Sequence, residues 1–286
     1  MQSLVGVLFD GFAYGMLLFL LSVGLSVTLG MMNFVNLAHC SFAMVGGYAA
    51  VTLVNSYGWP FLATLPLAFV AAALVSVVLE RLLYRRLYRA SELDQCLFTI
   101  GIVFISVAAA SWFFGTVQQP VSVPDYLRGS VEFMGVRFAV YRMFLIAVAL
   151  AVTAILVFSL EYTHFGAKVR AAVDNQRMAR GLGIDVDRAF MITFALGGGL
   201  AGLGGALAIE IVGLDPAFAF TYLVYVLIVV AVGGLGSIGG SFAAATVLGI
   251  SDMAGKYYFP WLGAFLIYLV MVALLMWRPA GMFGKR

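Results

Sequence analysis

The chain has 286 residues, of which 64% are hydrophobic and only 10% are charged, and its mean hydropathy is +1.07. Soluble domains carry about 45–50% apolar and about 25% charged residues, so this composition excludes a water-soluble globule. The net charge of +3 comes from basic groups between apolar segments and gives no indication of nucleic-acid binding. Two cysteines, Cys40 and Cys96, lie in or beside apolar segments, which argues against a disulfide framework.

Long stretches without Asp, Glu, Lys or Arg indicate the membrane segments. A helix needs about 20 mostly apolar residues to cross roughly 30 Å of hydrocarbon. The first stretch has room for three crossings, the fifth for one or two, and each of the others for one. The sequence therefore predicts an all-α polytopic bundle of eight or nine transmembrane segments, with residues 1–286 forming one domain. The uncharged stretches are 11–79, 95–124, 143–160, 189–209, 216–251 and 257–277.

The basic residues predict the orientation of the chain. Lys and Arg in short loops are retained on the cytoplasmic side of a membrane. Twelve of the sixteen lie in alternate connections and four lie in the others, so we expect a cytoplasmic C-terminus and an external N-terminus. The twelve are Arg81, Arg85, Arg86, Arg89, Lys168, Arg170, Arg177, Arg180, Arg188, Arg278, Lys285 and Arg286; the four are Arg128, Arg137, Arg142 and Lys256.

A polar cluster interrupts the first uncharged stretch, in the string MMNFVNLAHCSFAMVGGYAA. Asn33, Asn36, His39 and Ser41 lie at a depth where polar groups usually face a bundle interior or a solute pathway. The alternative interpretation is that the two asparagines cap a helix at the cytoplasmic interface and His39 bonds a neighbouring carbonyl. Both interpretations stay open at the level of sequence.

A second cluster, GGLGSIGG, occupies residues 233–240. Its five glycines disfavour a continuous helix, at roughly 1 kcal/mol each against Ala, so a break is expected. Half-helix termini meeting there could bind a dipolar solute, or the glycines could form a tight turn between two short spans at the cytoplasmic face. The candidate pathway residues of the two clusters are Asn33, Asn36, His39, Cys40, Ser41, Gly233, Gly234, Gly236, Ser237 and Gly239.

Small residues recur at four-residue spacing in GGGLAGLGGA, residues 197–206. Gly198 and Gly202 form one such pair, and Ala201 and Gly205 form another. This spacing lets transmembrane helices approach closely, so it predicts a packing face.

The longest cytoplasmic connection, residues 161–188, is rich in charge. Residues 167–182 favour one helix along the membrane surface, and Gly183 is placed to end it. Its apolar stripe is too small to anchor in lipid and suits a socket in another protein better. The stripe consists of Val169, Ala172, Val173 and Ala179.

This connection resembles the coupling loop of bacterial ATP-binding-cassette importer permeases, specifically those of the high-affinity branched-chain amino acid family. The string NFVNLAHCSFAMVGGY is similar to the family's first-half signature, and GGLGSIGG is similar to its second-half one. One departure is Cys40, where the family pattern leads us to expect Gly, and it leaves the exact substrate open. The matching coupling residues are Thr163, Gly166, Arg170, Ala171, Asn175, Ala179, Gly183 and Ile184.

The resemblance implies a type II-like importer permease in the bacterial inner membrane, with Gly-broken helices and alternating access driven by other subunits. The implied partners are two ATPase subunits, a second homologous permease and a periplasmic solute-binding protein. No cofactor is implied. The implied solutes are Leu, Ile, Val or other uncharged amino acids, and urea or short amides are the nearest alternative.

Other functional classes find less support in the residues. The chain has no G-x-x-x-x-G-K-[ST] motif, so it cannot hydrolyse a nucleotide itself. Its two histidines, His39 and His164, lie on different segments and do not form the convergent set that an enzyme needs. An ion-coupled secondary transporter needs acidic groups in the membrane, yet the candidates suit interfacial positions or local ion pairs better. These candidates are Asp10, Glu80, Glu210, Asp215 and Asp252.

Overall fold

The computed structural model describes residues 2–32, 34–88, 90–121, 123–133 and 135–284. Helices form most of this part of the chain. A small antiparallel hairpin pairs Ser130 with Ala139 and Phe133 with Val136. The elements are α1 Gln2–Met32, α2 His39–Asn55, α3 Phe61–Leu82, a 3-10 turn Tyr84–Leu87, α4 Glu92–Phe114, α5 Asp125–Arg128, β1 Ser130–Phe133, β2 Val136–Ala139, α6 Val140–Glu161, α7 His164–Asp174, α8 Gln176–Gly181, α9 Val186–Val212, α10 Phe218–Gly233, α11 Ile238–Tyr258 and α12 Gly263–Trp277.

The polytopic all-α architecture agrees with the sequence, but the count of long spans is lower than the predicted eight or nine. Within the described residues, five helices are long and apolar enough to cross a membrane, namely α1, α3, α4, α6 and α9. The α10–α11 pair would make six if it were one bent span. The difference arises because connections divide the uncharged stretches 11–79 and 216–251, and α12 begins only at Gly263 within the stretch 257–277. Three apolar helices are consequently short, with 17 residues in α2, 16 in α10 and 15 in α12.

One face of the bundle, the hairpin face, collects the start of α1 and the connections after α2, α4 and α9. Asp10 forms an ion pair with Arg142, next to the β-hairpin. The Nδ2 group of Asn55 donates to the Pro120 carbonyl at 2.9 Å. The backbone N–H of Gln119 donates to the Leu214 carbonyl at 2.8 Å. These contacts join the ends of helices that are distant in sequence. The ends therefore lie at the same height in the bundle.

The opposite ends meet at a second face, the basic face. Arg85, which follows α3, forms an ion pair with Asp187 at the start of α9. Met31 of α1, Arg170 of α7 and Gly236 lie together around one cleft. The connections that carry most of the chain's arginines therefore share this face.

Helix α9 lies at the centre of the bundle, and its small residues permit close packing. Gly197 lies against Gly24 of α1, and Gly202 lies against Gly46 of α2. Gly205 meets the backbone of α2 at Ala43, where an added Cβ would overlap the carbonyl. The packing role predicted for residues 197–206 is therefore confirmed.

Replacing Gly205 with Ala is expected to destabilise the chain, because the new methyl group would overlap the α2 backbone. Overpacking of this kind costs about 1–3 kcal/mol. Gly101 in α4 is the matched control, since nothing among the described residues lies within 4 Å of an added Cβ and Ala favours a helix interior. In mixed detergent micelles, the free energy of unfolding should be lower for Gly205→Ala than for the unmodified chain. Gly101→Ala should show no such decrease. Equal stabilities would contradict the close contact.

Candidate functional site

The segment between α1 and α2, residues 34–38, is irregular backbone held by side chains of α4. The N–H of Val35 donates to Gln95 Oε1 at 3.0 Å, and the N–H of Leu37 donates to Thr99 Oγ1 at 3.2 Å. Irregular backbone at membrane depth needs such partners, because no water replaces them. Gln95 and Thr99 were not among the predicted site residues, although both are polar residues in an uncharged stretch.

The structure distributes the first predicted cluster around the start of α2. Asn36 is buried and its Oδ1 accepts from the Ala38 N–H at 3.0 Å in the turn before α2. The alternative expectation that Asn36 caps the helix is wrong, because no side chain in the described part of the chain caps the start of α2. His39 and Cys40 are buried, and His39 lies against Gly24 of α1. The Nε2 atom of His39 has no hydrogen-bond partner among the described residues. Asn33 lies outside the described residues.

Ser41 is the member of this cluster that reaches a cavity. Its Oγ lies 2.7 Å from Ser106 Oγ of α4. Both hydroxyl groups line a cavity of about 560 Å³ between α2 and α4, which we call the α2–α4 cavity.

The second predicted cluster forms a turn, Gly234–Ser237, between two helices inclined at 120°. Gly234 and Gly236 have φ values of +95° and +79°, a left-handed conformation that favours glycine. Ser237 caps α11 by accepting from the Gly240 N–H at 3.0 Å. Gly233 is buried against Gly240, whereas Gly239 has open space around it.

The chain after α12 folds back onto this turn. The N–H of Met282 donates to the Val232 carbonyl at 2.7 Å, and the N–H of Phe283 donates to the Gly233 carbonyl at 3.2 Å. These bonds satisfy carbonyls at the end of α10, which would otherwise lack partners.

The structure does not bring the two predicted clusters to one cavity. Gly236, Ser237 and Gly239 line a cleft of about 750 Å³ on the basic face, together with Glu161 and Arg170. Ser41 lines the separate α2–α4 cavity. The turn therefore lies beside the 161–188 connection, which we call the coupling segment.

The prediction of one helix over residues 167–182 is wrong, because the coupling segment forms two. Asn175 has φ −155° and ψ 95°, an extended conformation that separates α7 from α8. Its side chain accepts from the Met178 N–H at 3.0 Å and so caps α8. Asn competes with helical backbone bonds in this way and favours caps over helix interiors. Gly183 does end the second helix, with φ +79°.

The prediction that the apolar stripe fits another protein is also wrong for its buried members. Ala172 and Ala179 pack against Val186 and Phe190 at the start of α9, with Val173 and Ile184 beside them. Val169 is also buried. Helical periodicity identified the apolar face correctly, but the covering surface belongs to this chain.

The other predicted coupling residues shape the segment from within. Thr163 caps α7 by accepting from the Gly166 N–H at 3.3 Å. Gly166 fits against Leu160, where an added Cβ would overlap the carbonyl, and the Arg170 guanidinium donates to that same carbonyl. The N–H of Asn175 donates to the Ala171 carbonyl at 3.2 Å, and the N–H of Ile184 donates to the Ala179 carbonyl at 3.0 Å.

Besides Tyr162, two large apolar side chains of the segment are exposed and were not among the predicted site residues. Met178 is 65% exposed and Leu182 is 79% exposed. They lie outside the apolar stripe, so their spacing alone gave no signal. Both side chains are therefore free to contact another molecule.

Three of the five candidate membrane acids form local contacts. Asp252 is buried and accepts from Lys256 Nζ at 2.6 Å, and Asp10 pairs with Arg142. Glu80 accepts from the Tyr88 hydroxyl at 2.7 Å, and burial, together with this bond, raises the pKa of Tyr88. Within the described ranges, no group of three His, Cys, Asp or Glu side chains could hold a metal ion.

Comparisons with known proteins extend over nearly the whole chain. A family model described as branched-chain amino acid transport system / permease component matches residues 7–275. A probable LivH permease of Methanocaldococcus jannaschii is 28% identical, covering 95% of this chain and 90% of its own length. LivH of Escherichia coli K12 is 24% identical, covering 97% and 94%. LivM of the same organism is 25% identical, covering 93% and 68%.

No solved structure matches the chain significantly. The family match covers far more than half of the residues and includes all three segments that carry the sequence resemblance. The chain is therefore a multi-pass membrane protein and a transport subunit without enzymatic activity of its own, and it belongs to the permease components of branched-chain amino acid transport systems.

Proposed function

We propose that this chain is one permease subunit of an ATP-binding-cassette importer, which moves branched-chain amino acids inward by alternating access. The family match over residues 7–275 carries the proposal. The names of the LivH and LivM relatives favour amino acids over urea or short amides. Similarity to both kinds of permease also supports a second homologous permease as the partner.

We further propose that nine helices of residues 1–286 cross the membrane as one domain. The hairpin face collects the start of α1 and the end of α2, and the basic face collects the end of α3 and the start of α9. Successive apolar helices therefore run in opposite directions. The nine are α1, α2, α3, α4, α6, α9, α10, α11 and α12.

The positions of the charged groups support a cytoplasmic basic face and a bacterial inner-membrane location. Arg85, Arg170 and Arg188 belong to this face, whereas Arg128 and Arg137 belong to the hairpin face. Retention of Arg and Lys inside the cell then places the C-terminus in the cytoplasm and the N-terminus outside. A periplasmic solute-binding protein would meet the hairpin face.

The coupling segment is the proposed contact for an ATPase subunit. Its buried stripe fixes α7 and α8 on α9, so Met178 and Leu182 are presented by a rigid base. Thr163 caps α7 and Asn175 caps α8. Gly183 ends α8. The predicted coupling residues thus act mainly by holding the segment in place.

Movement of this segment has two direct routes into the bundle. Arg170 ties α7 to the last turn of α6 through the Leu160 carbonyl. Ala172 and Ala179 pack on the first turns of α9. We propose that closure of two ATPase subunits displaces α6 and α9 through these contacts.

The proposed pathway has a middle part and an inner exit. Asn36, His39, Cys40 and Ser41 surround the irregular start of α2, and we assign Asn33 to the same part from sequence alone. The glycine turn borders the basic-face cleft, which suits an exit. Its assigned residues are Gly233, Gly234, Gly236, Ser237 and Gly239.

Reconstitution in liposomes tests the proposal against an ion-coupled carrier. The chain alone, under a proton or sodium gradient, is expected to accumulate no leucine, because Asp10 and Asp252 are engaged in ion pairs. Addition of a LivM-type permease, two ATPases, loaded binding protein and ATP should produce concentrative uptake. Radiolabelled leucine inside the vesicles is the measurement. Gradient-driven accumulation by the isolated chain would overturn the assignment.

A further inference from the structure

Helix α4 is attached to the rest of the bundle mainly at its two ends. Near the basic face, Gln95 and Thr99 bind the backbone of the 34–38 segment. Near the hairpin face, Phe114 stacks on Tyr48 of α2, with ring centroids 4.2 Å apart. Between these ends, α4 touches α2 at the Ser41–Ser106 hydroxyl pair, and the α2–α4 cavity lies beside this contact.

The walls of this cavity are mostly apolar, and its polar groups are the hydroxyls of Ser41, Tyr48, Thr52 and Ser106. Its volume of about 560 Å³ lies within the range of small-molecule sites. None of the described lining residues is charged. A net charge in this space would lack a compensating partner, whereas an aliphatic side chain would gain apolar contact. The apolar lining includes Met44, Val45, Ala49, Ala109, Ala110 and Phe113.

Ser41 and Ser106 form one polar patch of the cavity, at the start of α2. Ser106 Oγ donates to the Val103 carbonyl at 2.8 Å, so Ser41 supplies the proton of the 2.7 Å bond between the two hydroxyls. Both hydroxyl protons are then used within the chain, and oxygen lone pairs remain. This arrangement suits a solute that brings N–H donors, such as an ammonium group.

We propose that the α2–α4 cavity receives the transported amino acid, with its aliphatic side chain against the apolar walls and its ammonium group at the Ser41–Ser106 pair. This inference rests on the proposed importer function and adds the place of solute selection to it. The carboxylate is bonded to the same carbon and stays beside the ammonium group, so the solute brings no net charge into the cavity. A lipid acyl chain would use the same walls but has no donor for the hydroxyl pair.

Two neighbouring alanines of α4 provide a matched test. Ala109 lines the cavity and Ala108 does not, and both side chains are exposed within this chain. In the reconstituted complex with saturating leucine-loaded binding protein, Ala109→Phe should lower leucine uptake at least about tenfold, because it fills the cavity. Ala108→Phe should stay within about twofold of the unmodified chain, since its added ring points away from the cavity.

A smaller substitution gives a second readout that misfolding would not produce. Ala109→Val should lower leucine uptake more than valine uptake, because the shortened cavity still admits the smaller side chain. Ser41→Ala should lower the uptake of both solutes about equally, by roughly threefold to tenfold for one lost hydrogen bond. A shift in the leucine-to-valine ratio supports the cavity assignment even if Ala109→Phe does not assemble.

The failures of the two proposals are distinguishable. If ATP-dependent uptake persists at the unmodified rate in Ala109→Phe, the cavity is a lipid-filled gap and the inference is overturned, while the importer function stands. If the unmodified complex shows no ATP-dependent uptake, the importer function fails and the inference fails with it.

Discussion

Replacing Leu182 with Glu is expected to abolish ATP-dependent uptake while leaving the chain folded. Leu182 is 79% exposed and follows α8, on a base fixed by Ala179 and Ile184. An apolar anchor at the centre of an interface contributes about 2 kcal/mol or more, so a charged replacement should weaken ATPase binding at least about thirtyfold. Co-purification of the ATPase subunits and leucine-stimulated ATP hydrolysis are the measurements. Met178→Glu should also lower the co-purification of the ATPase subunits and the leucine-stimulated ATP hydrolysis.

Leu93 is a matched control for this substitution. It is 69% exposed at the first turn of α4 and lies between Glu92 and Asp94, outside the coupling segment. A further carboxylate is well tolerated at a helix N-terminus. Leu93→Glu should therefore retain ATPase binding and uptake. If Leu182→Glu also retains both, the ATPase does not bind at the tip of α8.

Arg170 behaves differently from Leu182, although the sequence resemblance placed both in one loop. Its guanidinium is engaged with the Leu160 carbonyl at the end of α6. A substitution of Arg170 should therefore weaken the attachment of α7 to α6. Any effect on the surface that contacts a partner would be secondary. Loss of transport in an Arg170 variant therefore reports on the fold of the segment as well as on the ATPase contact.

Much of the fold could be predicted from local chemistry. The start of α4 and both ends of α6 follow from the charged residues that flank their apolar stretches, and the small residues of α9 identified its packing face. Gly183 was predictable as a helix end because few residues adopt a positive φ. These features depend on residues within a few turns of one another.

The missed features depend on contacts across the chain. Gln95 and Thr99 bind backbone groups of Val35 and Leu37, which lie far away in sequence, so periodicity gives no indication of their role. The stripe of the coupling segment was identified as apolar, but only the fold shows that α9 covers it. Asn175 is compatible with a helix in sequence, and its extended conformation arises because it caps α8.

Replacing Gly236 with Leu is expected to destabilise the whole chain and to lower the yield of the assembled complex. Its φ of +79° costs an L-residue about 1–2 kcal/mol. An added Cβ would also lie 2.6 Å from the Gly30 Cα, and relief of this overlap adds about 1–3 kcal/mol. Thermal unfolding in detergent should show a clear decrease in the unfolding midpoint. A midpoint equal to that of the unmodified chain would contradict the close contact between the turn and α1.

Gly239 separates this effect from any role of the turn in transport. It lines the same basic-face cleft, but nothing in the described part of the chain lies within 4 Å of an added Cβ. Gly239→Leu should therefore leave the unfolding midpoint nearly unchanged, since the open position accepts a side chain. If the cleft is the inner exit, the added side chain narrows it and leucine uptake falls while ATPase binding persists. Unchanged uptake in this folded variant would show that the cleft is not part of the pathway. Gly236→Leu cannot test this, because its destabilisation would lower uptake for a different reason.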